Sequence, residues 1–217
     1  MDFDRARFNM VEQQIRTWEV LDTGVLDVLG RLHREDFVRP QYRKLAYADM
    51  MLPIGEDQFM MRPVIEGRLL QSLDLTNEDE VLEIGTGSGF VTACLAQLAR
   101  HVISVERSAE LADAARARLD RADVENAEVI VADALGDWTP GRYFDVVAVT
   151  GSARVLPERF RSWVKPGGRL FAVGGDSPAM EAVIYRHLDD GGWSEESLFE
   201  TDLPRLVGAE DTESLAF

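Results

Sequence analysis

Val81-Leu-Glu-Ile-Gly-Thr-Gly-Ser-Gly89 runs directly into Phe90-Val-Thr-Ala-Cys-Leu-Ala-Gln-Leu98, and this stretch decides the fold. Val81, Leu82 and Ile84 predict a short apolar strand. Gly85, Gly87 and Gly89 let the chain turn sharply and let a ligand approach the backbone. The helix predicted over Phe90 to Leu98 presents unpaired N–H groups at its start. Two ligand classes compete for such a loop. A dinucleotide pyrophosphate needs G-x-G-x-x-G. Here the spacing is G-x-G-x-G, and Glu83 precedes it. A carboxylate repels a pyrophosphate, but it can accept from the ammonium of an amino acid, directly or through water. The loop therefore favours the methionine end of S-adenosylmethionine, with Gly85, Thr86, Gly87 and Ser88 as its cradle.

Working outward, strands and helices alternate. His101–Val105, Glu128–Val131, Phe144–Val149 and Arg169–Val173 predict further strands. Ala109–Leu119 and Val155–Trp163 predict helices, and Met180–His187 with Trp193–Glu200 an antiparallel pair about Asp190-Gly-Gly192. Continuous apolar strands separated by helices imply a parallel sheet covered on both faces, an α/β Rossmann-like class. Two more acids stand at strand ends. Glu106 ends the second strand, where a carboxylate accepts from ribose hydroxyls. Asp133, followed by Ala134, ends the third and can accept from an adenine amine. Glu83, Glu106 and Asp133 all lie at the edge where open α/β sheets bind ligands.

Before the loop, Phe8, Val11, Ile15 and Trp18 keep helical spacing, as do Val25, Leu26, Leu29 and Leu32 after the capping candidates Asp22 and Thr23. Met51–Pro63 reads as irregular, punctuated by Pro53, Gly55 and Pro63, and Val64–Leu73 as a helix. The expected organisation is one domain over 1–217: an N-terminal helical extension and loop over 1–76, and a cofactor-binding core over 77–217.

Bulk numbers narrow the function. Among 217 residues, 46% hydrophobic content suits a sizeable core, while 23 Lys and Arg against 39 Asp and Glu leave a net charge of −16. Such a field disfavours nucleic acid as a partner. Arg31, Arg34, Arg39, Arg43 and Lys44 lie close together, but Glu35 and Asp36 interrupt them. One cysteine, Cys94, permits no intrachain disulfide, and no apolar run reaches the roughly 18 residues of a membrane span. The charged start lacks the apolar region of a signal peptide, so the expected location is cytoplasmic, with no membrane partner. The three histidines are scattered, and no metal site is expected.

The chain resembles the protein-L-isoaspartate O-methyltransferases, which methylate isoaspartyl carboxylates in damaged proteins. Met10-Val-Glu-Gln-Gln-Ile-Arg16, Asp36-Phe-Val38, Leu45-Ala-Tyr47, Leu52-Pro-Ile-Gly55, Val81–Gly89, Phe144-Asp-Val-Val-Ala-Val-Thr150, Leu156-Pro157 and Val164-Lys-Pro-Gly-Gly-Arg-Leu170 carry the likeness. The resemblance implies a class I methyltransferase fold, with a seven-stranded, mostly parallel sheet and an N-terminal helical addition. It also implies cofactor roles for Glu83, Gly85, Gly87, Glu106 and Asp133, and a protein or peptide substrate.

One stretch departs. The family follows Leu-Pro-Ile-Gly with Gly-Gln-Thr-Ile-Ser-x-Pro, whose serine lies at the substrate carboxylate. Here it reads Asp57-Gln-Phe-Met-Met-Arg-Pro63, so Phe59 stands for the threonine and Met61 for the serine. A thioether is a weak acceptor and no donor. Arg62 is either a compensation, able to grip a carboxylate bidentately, or a solvated loop residue. Met50, Met51, Met60 and Met61 suggest either a soft apolar surface for a hydrophobic small-molecule acceptor or gap-filling under the helices. Isoaspartyl methyl transfer, transfer to another acceptor, and cofactor binding without catalysis all remain open at this point; on fold alone, so does a nicotinamide oxidoreductase, which the glycine spacing and Glu83 oppose.

Overall fold

The computed structural model describes residues 1–209. The chain enters through helix α1 (Phe3–Asn9), capped by Asp2, whose side chain accepts from Arg5 N–H. It continues as a π-helical segment, Met10–Ile15, and a 3-10 turn, Arg16–Trp18. The wider π turn rotates the apolar stripe expected there. Met10, Val11 and Ile15 are buried, whereas Phe8 and Trp18 are left exposed. Helix α2 (Thr23–Arg31) is capped by Asp22 through Val25 N–H. The segment expected to be irregular forms a small hairpin, β1 (Leu52–Gly55) with β2 (Gln58–Met60). Its tip is Glu56-Asp57, both at positive φ. Helix α3 (Pro63–Ser72) follows.

The remaining strands are β3 (Glu80–Ile84), β4 (His101–Glu106), β5 (Ala127–Val131), β6 (Phe144–Ala153), β7 (Val164–Gly174), β8 (Met180–His187) and β9 (Trp193–Thr201). They form a seven-stranded sheet in the order β5-β4-β3-β6-β7-β8-β9. The first five of these pair in parallel, and the β7–β8 and β8–β9 pairs are antiparallel. Helices α4 (Phe90–Leu98) and α5 (Ala109–Arg121) fall where the apolar spacing put them. The helix expected over Val155–Trp163 shrinks to one turn, α6 (Glu158–Arg161). Pro157 limits its start, and the chain re-enters the sheet at Val164.

Strand alternation divides the core. Val81, Val102, Val146, Ala148 and Phe171 face the N-terminal helices and α4, in one apolar cluster with Met10, Ile15, Val25, Leu29 and Leu69. Leu82, Ile84, Val105, Val147 and Leu170 face the other way, against Phe160 and Trp163. The N-terminal extension is thus welded to one face of the sheet.

A buried ion pair holds the extension together internally. Arg34 and Glu66 are fully enclosed, at 3.0 Å. Arg34 also donates to the carbonyls of Ala46 and Met61, both at 2.6 Å. Burial pushes the Glu66 carboxyl upward in pKa, and Arg34 opposes that push. Arg34 is therefore no part of a surface basic patch.

Candidate active site

β3 is flanked by β4 on one side and β6 on the other, so the connections diverge at its C-terminal end. This switch point leaves a crevice where open α/β sheets bind ligands. A cavity of about 570 Å³ occupies it, within the roughly 300–1,000 Å³ typical of small-molecule sites. Its floor is backbone. Gly85 has φ +100°, and a Cβ there would lie 2.6 Å from Thr150 Oγ1; a Cβ on Gly87 would lie 3.2 Å from Ile54 Cδ1. Any larger residue at Gly85 would collide and be strained. Thr150, at the corresponding edge of β6, donates to the Ile84 carbonyl at 2.8 Å and fixes the loop from below.

Glu106 lies on the cavity wall, held from behind. Its two oxygens accept from Gly87 N–H at 2.8 Å and Ser108 N–H at 3.0 Å. A carboxylate offers about four lone-pair sites, so two remain for a diol. Asp133 and Ala134 line the same wall. Asp133 Oδ1 accepts from Leu135 N–H at 2.9 Å, and Oδ2 lies 3.6 Å from Arg107 Nε. Glu106, Asp133, Ala134, Gly85 and Gly87 therefore share one cavity.

Glu83 does not reach that wall. Strand alternation turns it toward α4, where it is fully buried. One oxygen accepts from Thr92 Oγ1 at 2.5 Å and Ser104 Oγ at 2.6 Å; the other, Oε1, has no partner. Burial pushes its pKa up to about 7, against the Ser104 and Thr92 hydroxyls and with the help of the nearby Glu106 charge. Thr86 and Ser88 also support the loop from within. Thr86 Oγ1 and Ser104 Oγ are 2.5 Å apart, and Ser88 Oγ accepts from Phe90 N–H.

The substrate-loop expectations shift more. Met61, 6% exposed, is packed in the core beside Met60, because its carbonyl is drawn inward by Arg34. Arg62 pairs with Asp49 at 2.5 Å and lies over the Trp18 ring. Neither lines the cavity; Ile54, Glu56, Gln58 and Phe59 of the hairpin do. Leu203–Val207, a stretch after β9 that sequence patterning left unassigned, lines it too. It is anchored by Ser152 N–H to the Pro204 carbonyl and by Leu206 N–H back to the Ser152 carbonyl. Arg107, adjacent to Glu106 in sequence, donates to the Val207 carbonyl at 3.0 Å. Among the described residues no helix is long and apolar enough to cross a membrane, and no cluster of three His, Cys, Asp or Glu is placed to hold a metal.

The family model for protein-L-isoaspartate(D-aspartate) O-methyltransferase matches residues 5–201. The chain belongs to the protein-L-isoaspartate O-methyltransferase family. A member from Rhodopseudomonas palustris is 37% identical over 202 residues, 93% of each chain. One from Methanoculleus marisnigri is 39% identical over 179 residues, covering 82% of this chain and 81% of that one. Among solved structures, a Plasmodium falciparum chain described as a protein-L-isoaspartate O-methyltransferase, in complex with S-adenosyl-L-homocysteine, superposes with a TM-score of 0.79 at 17% identity, covering 95% of this chain and 98% of that one. At that identity the likeness speaks for the fold, a class I methyltransferase fold shared with this family. Of the two positions at which this chain departs from the family's substrate-loop pattern, Phe59 lines the cavity and Met61 does not.

Proposed function

We propose that this chain transfers the methyl group of S-adenosylmethionine to the carboxylate of isoaspartyl residues in proteins or peptides. The observation that carries the proposal is the single cavity wall combining Gly85, Gly87, Glu106 and Asp133. The glycines leave backbone-lined room for the ligand. Glu106, oriented by two backbone N–H groups, suits a ribose diol, and Asp133 suits an exocyclic amine. Behind the loop, Glu83 has an unpartnered Oε1 and is kept protonated by burial below about pH 7; an ammonium bound nearby would draw it toward its charged form. These residues fit the cofactor.

Gly85, Gly87, Glu106 and Asp133 would hold the cofactor, which would supply an electrophilic sulfonium methyl group to the acceptor carboxylate. An isoaspartyl carboxylate is already ionised at neutral pH, so the chain need not supply a general base. Its residues hold and orient the two partners and exclude water. The hairpin and Leu203–Val207 both line the cavity and contribute to that exclusion. A reducing cytoplasm suits a lone, buried Cys94.

The test is methyl-ester formation on an isoaspartyl peptide beside its normal-aspartyl twin. Ester on the first alone supports the proposal. No ester on either, with S-adenosylhomocysteine still raising the melting temperature, supports a second reading: a methyltransferase for another acceptor. Phe59 on the cavity wall and the burial of Met61 favour that reading.

A further inference from the structure

We infer that Phe59 determines acceptor specificity, and that the site prefers isoaspartyl carboxylates whose flanking residue bears a large apolar side chain. The inference rests on the isoaspartyl reading above and adds what surrounds the carboxylate.

Beside the acids Glu106 and Asp133, the lining carries aliphatic groups on both sides of the glycine loop: Ile54 lies against Gly87, while Leu206 lies 3.7 Å from where a Cβ of Gly85 would be. The hairpin and Leu203–Val207 both line the cavity, together with the start of α5 and the loop after β5. Both present apolar surface to it. Phe59 is 43% exposed and Val207 42%, although each lines the wall. The exposure of Phe59 has a local cause. Alternation along β2 buries Met60 and turns its neighbour outward, opposite Pro53 in the ladder. An aromatic ring left partly in water at a cavity mouth gains most when a ligand covers it. An apolar flanking side chain provides that cover. Glu56, Glu106, Glu110 and Asp133 line the cavity against Arg107 and Arg205, and the chain carries a net charge of −16, so the balance an acidic flanking residue meets is negative.

The experiment is a set of isoaspartyl peptides differing only in the residue after the isoaspartate: Gly, Leu, Phe or Glu. With the full-length protein, kcat/KM for the Leu and Phe peptides should exceed that for Gly by about tenfold or more, the discrimination an apolar pocket gives. The Glu peptide should fall below Gly. Phe59→Thr should bring Leu and Phe down to the Gly value, whereas Phe59→Leu should keep most of the preference. Far-UV circular dichroism and S-adenosylhomocysteine binding establish that each variant is folded. Equal kcat/KM across the series, or a preference that survives Phe59→Thr, overturns the inference and leaves the isoaspartyl reading standing. No ester on any peptide, with S-adenosylhomocysteine bound, overturns both.

Discussion

Replacing Glu83 by glutamine should remove a specific slope from the stability profile of the protein. The Glu83 carboxyl titrates near 4.5 in the unfolded chain, and burial pushes it up to about 7 in the folded one. Between those values the native state holds a proton that the unfolded state has released. Stability from this group is thus fully present below 4.5 and is lost as pH rises through about 7. One pKa unit corresponds to about 1.4 kcal/mol, so the loss between about pH 5 and about pH 8 amounts to roughly 2–3 kcal/mol. The amide of the variant has no proton to lose. Urea unfolding of both proteins across this range isolates the effect, since every other titrating group cancels in the difference. Glu83→Gln should gain on the wild type by about 2–3 kcal/mol from the acidic to the alkaline end, whatever its constant offset. A difference independent of pH, or one of opposite sign, would refute the reasoning. Saturating S-adenosylhomocysteine should flatten the wild-type slope, because a nearby ammonium favours the charged carboxylate.

Glu106→Ala deletes the acceptor for both Gly87 and Ser108 N–H. At about 1.5–3 kcal/mol per charge-assisted bond, S-adenosylhomocysteine affinity measured by calorimetry should fall at least about tenfold, and a change within twofold would contradict its assigned place. Arg34→Met leaves Glu66 buried without its partner and should cost about 3–5 kcal/mol in chemical unfolding, with Arg34→Met/Glu66→Met recovering most of it; equal losses in the single and double variants would contradict the ion-pair account. Met61→Ser restores the residue typical of the family but truncates a core side chain, so unfolding free energy should drop by about 2–4 kcal/mol. No measurable drop would mean that Met61 is not packed as described.

The parts most legible in the sequence were those in which local and long-range forces agree. Val81–Ile84 is apolar on both faces of a central strand, and Phe90–Leu98 is a helix under the same sheet, so composition alone places both. That Glu106 lines the cavity was readable because a strand end fixes where its last side chain goes; Asp133 lies two residues past β5 and lines the same cavity from the loop that follows. Glu83 was not readable in this way, since deciding whether an acid near a strand end meets the cavity or the core requires knowing which face the alternation assigns to it. The hairpin escaped notice for a different reason. Its strands span four and three residues, and its tip is Glu56-Asp57 in place of the Asn-Gly or Asp-Gly that announces such turns. Met61 and Arg62 share a loop with Phe59, but the buried Arg34 and the partly exposed Asp49 hold them elsewhere, and neither lies close in sequence. Leu203–Val207 joins the site through Ser152, about fifty positions earlier in the chain.

The crevice is made of two kinds of material. At the donor end, main-chain atoms of a loop locked into a seven-stranded frame do much of the shaping, and most substitutions elsewhere leave their positions untouched. Elsewhere on the crevice's rim, the boundary includes side-chain tips on a short hairpin outside that frame and on a trailing segment bridged to it at Ser152. Exchanging one tip alters what is admitted without disturbing how the methyl source is seated. A fold arranged this way can acquire new clientele by small steps at its rim, each one tolerable to the folded chain.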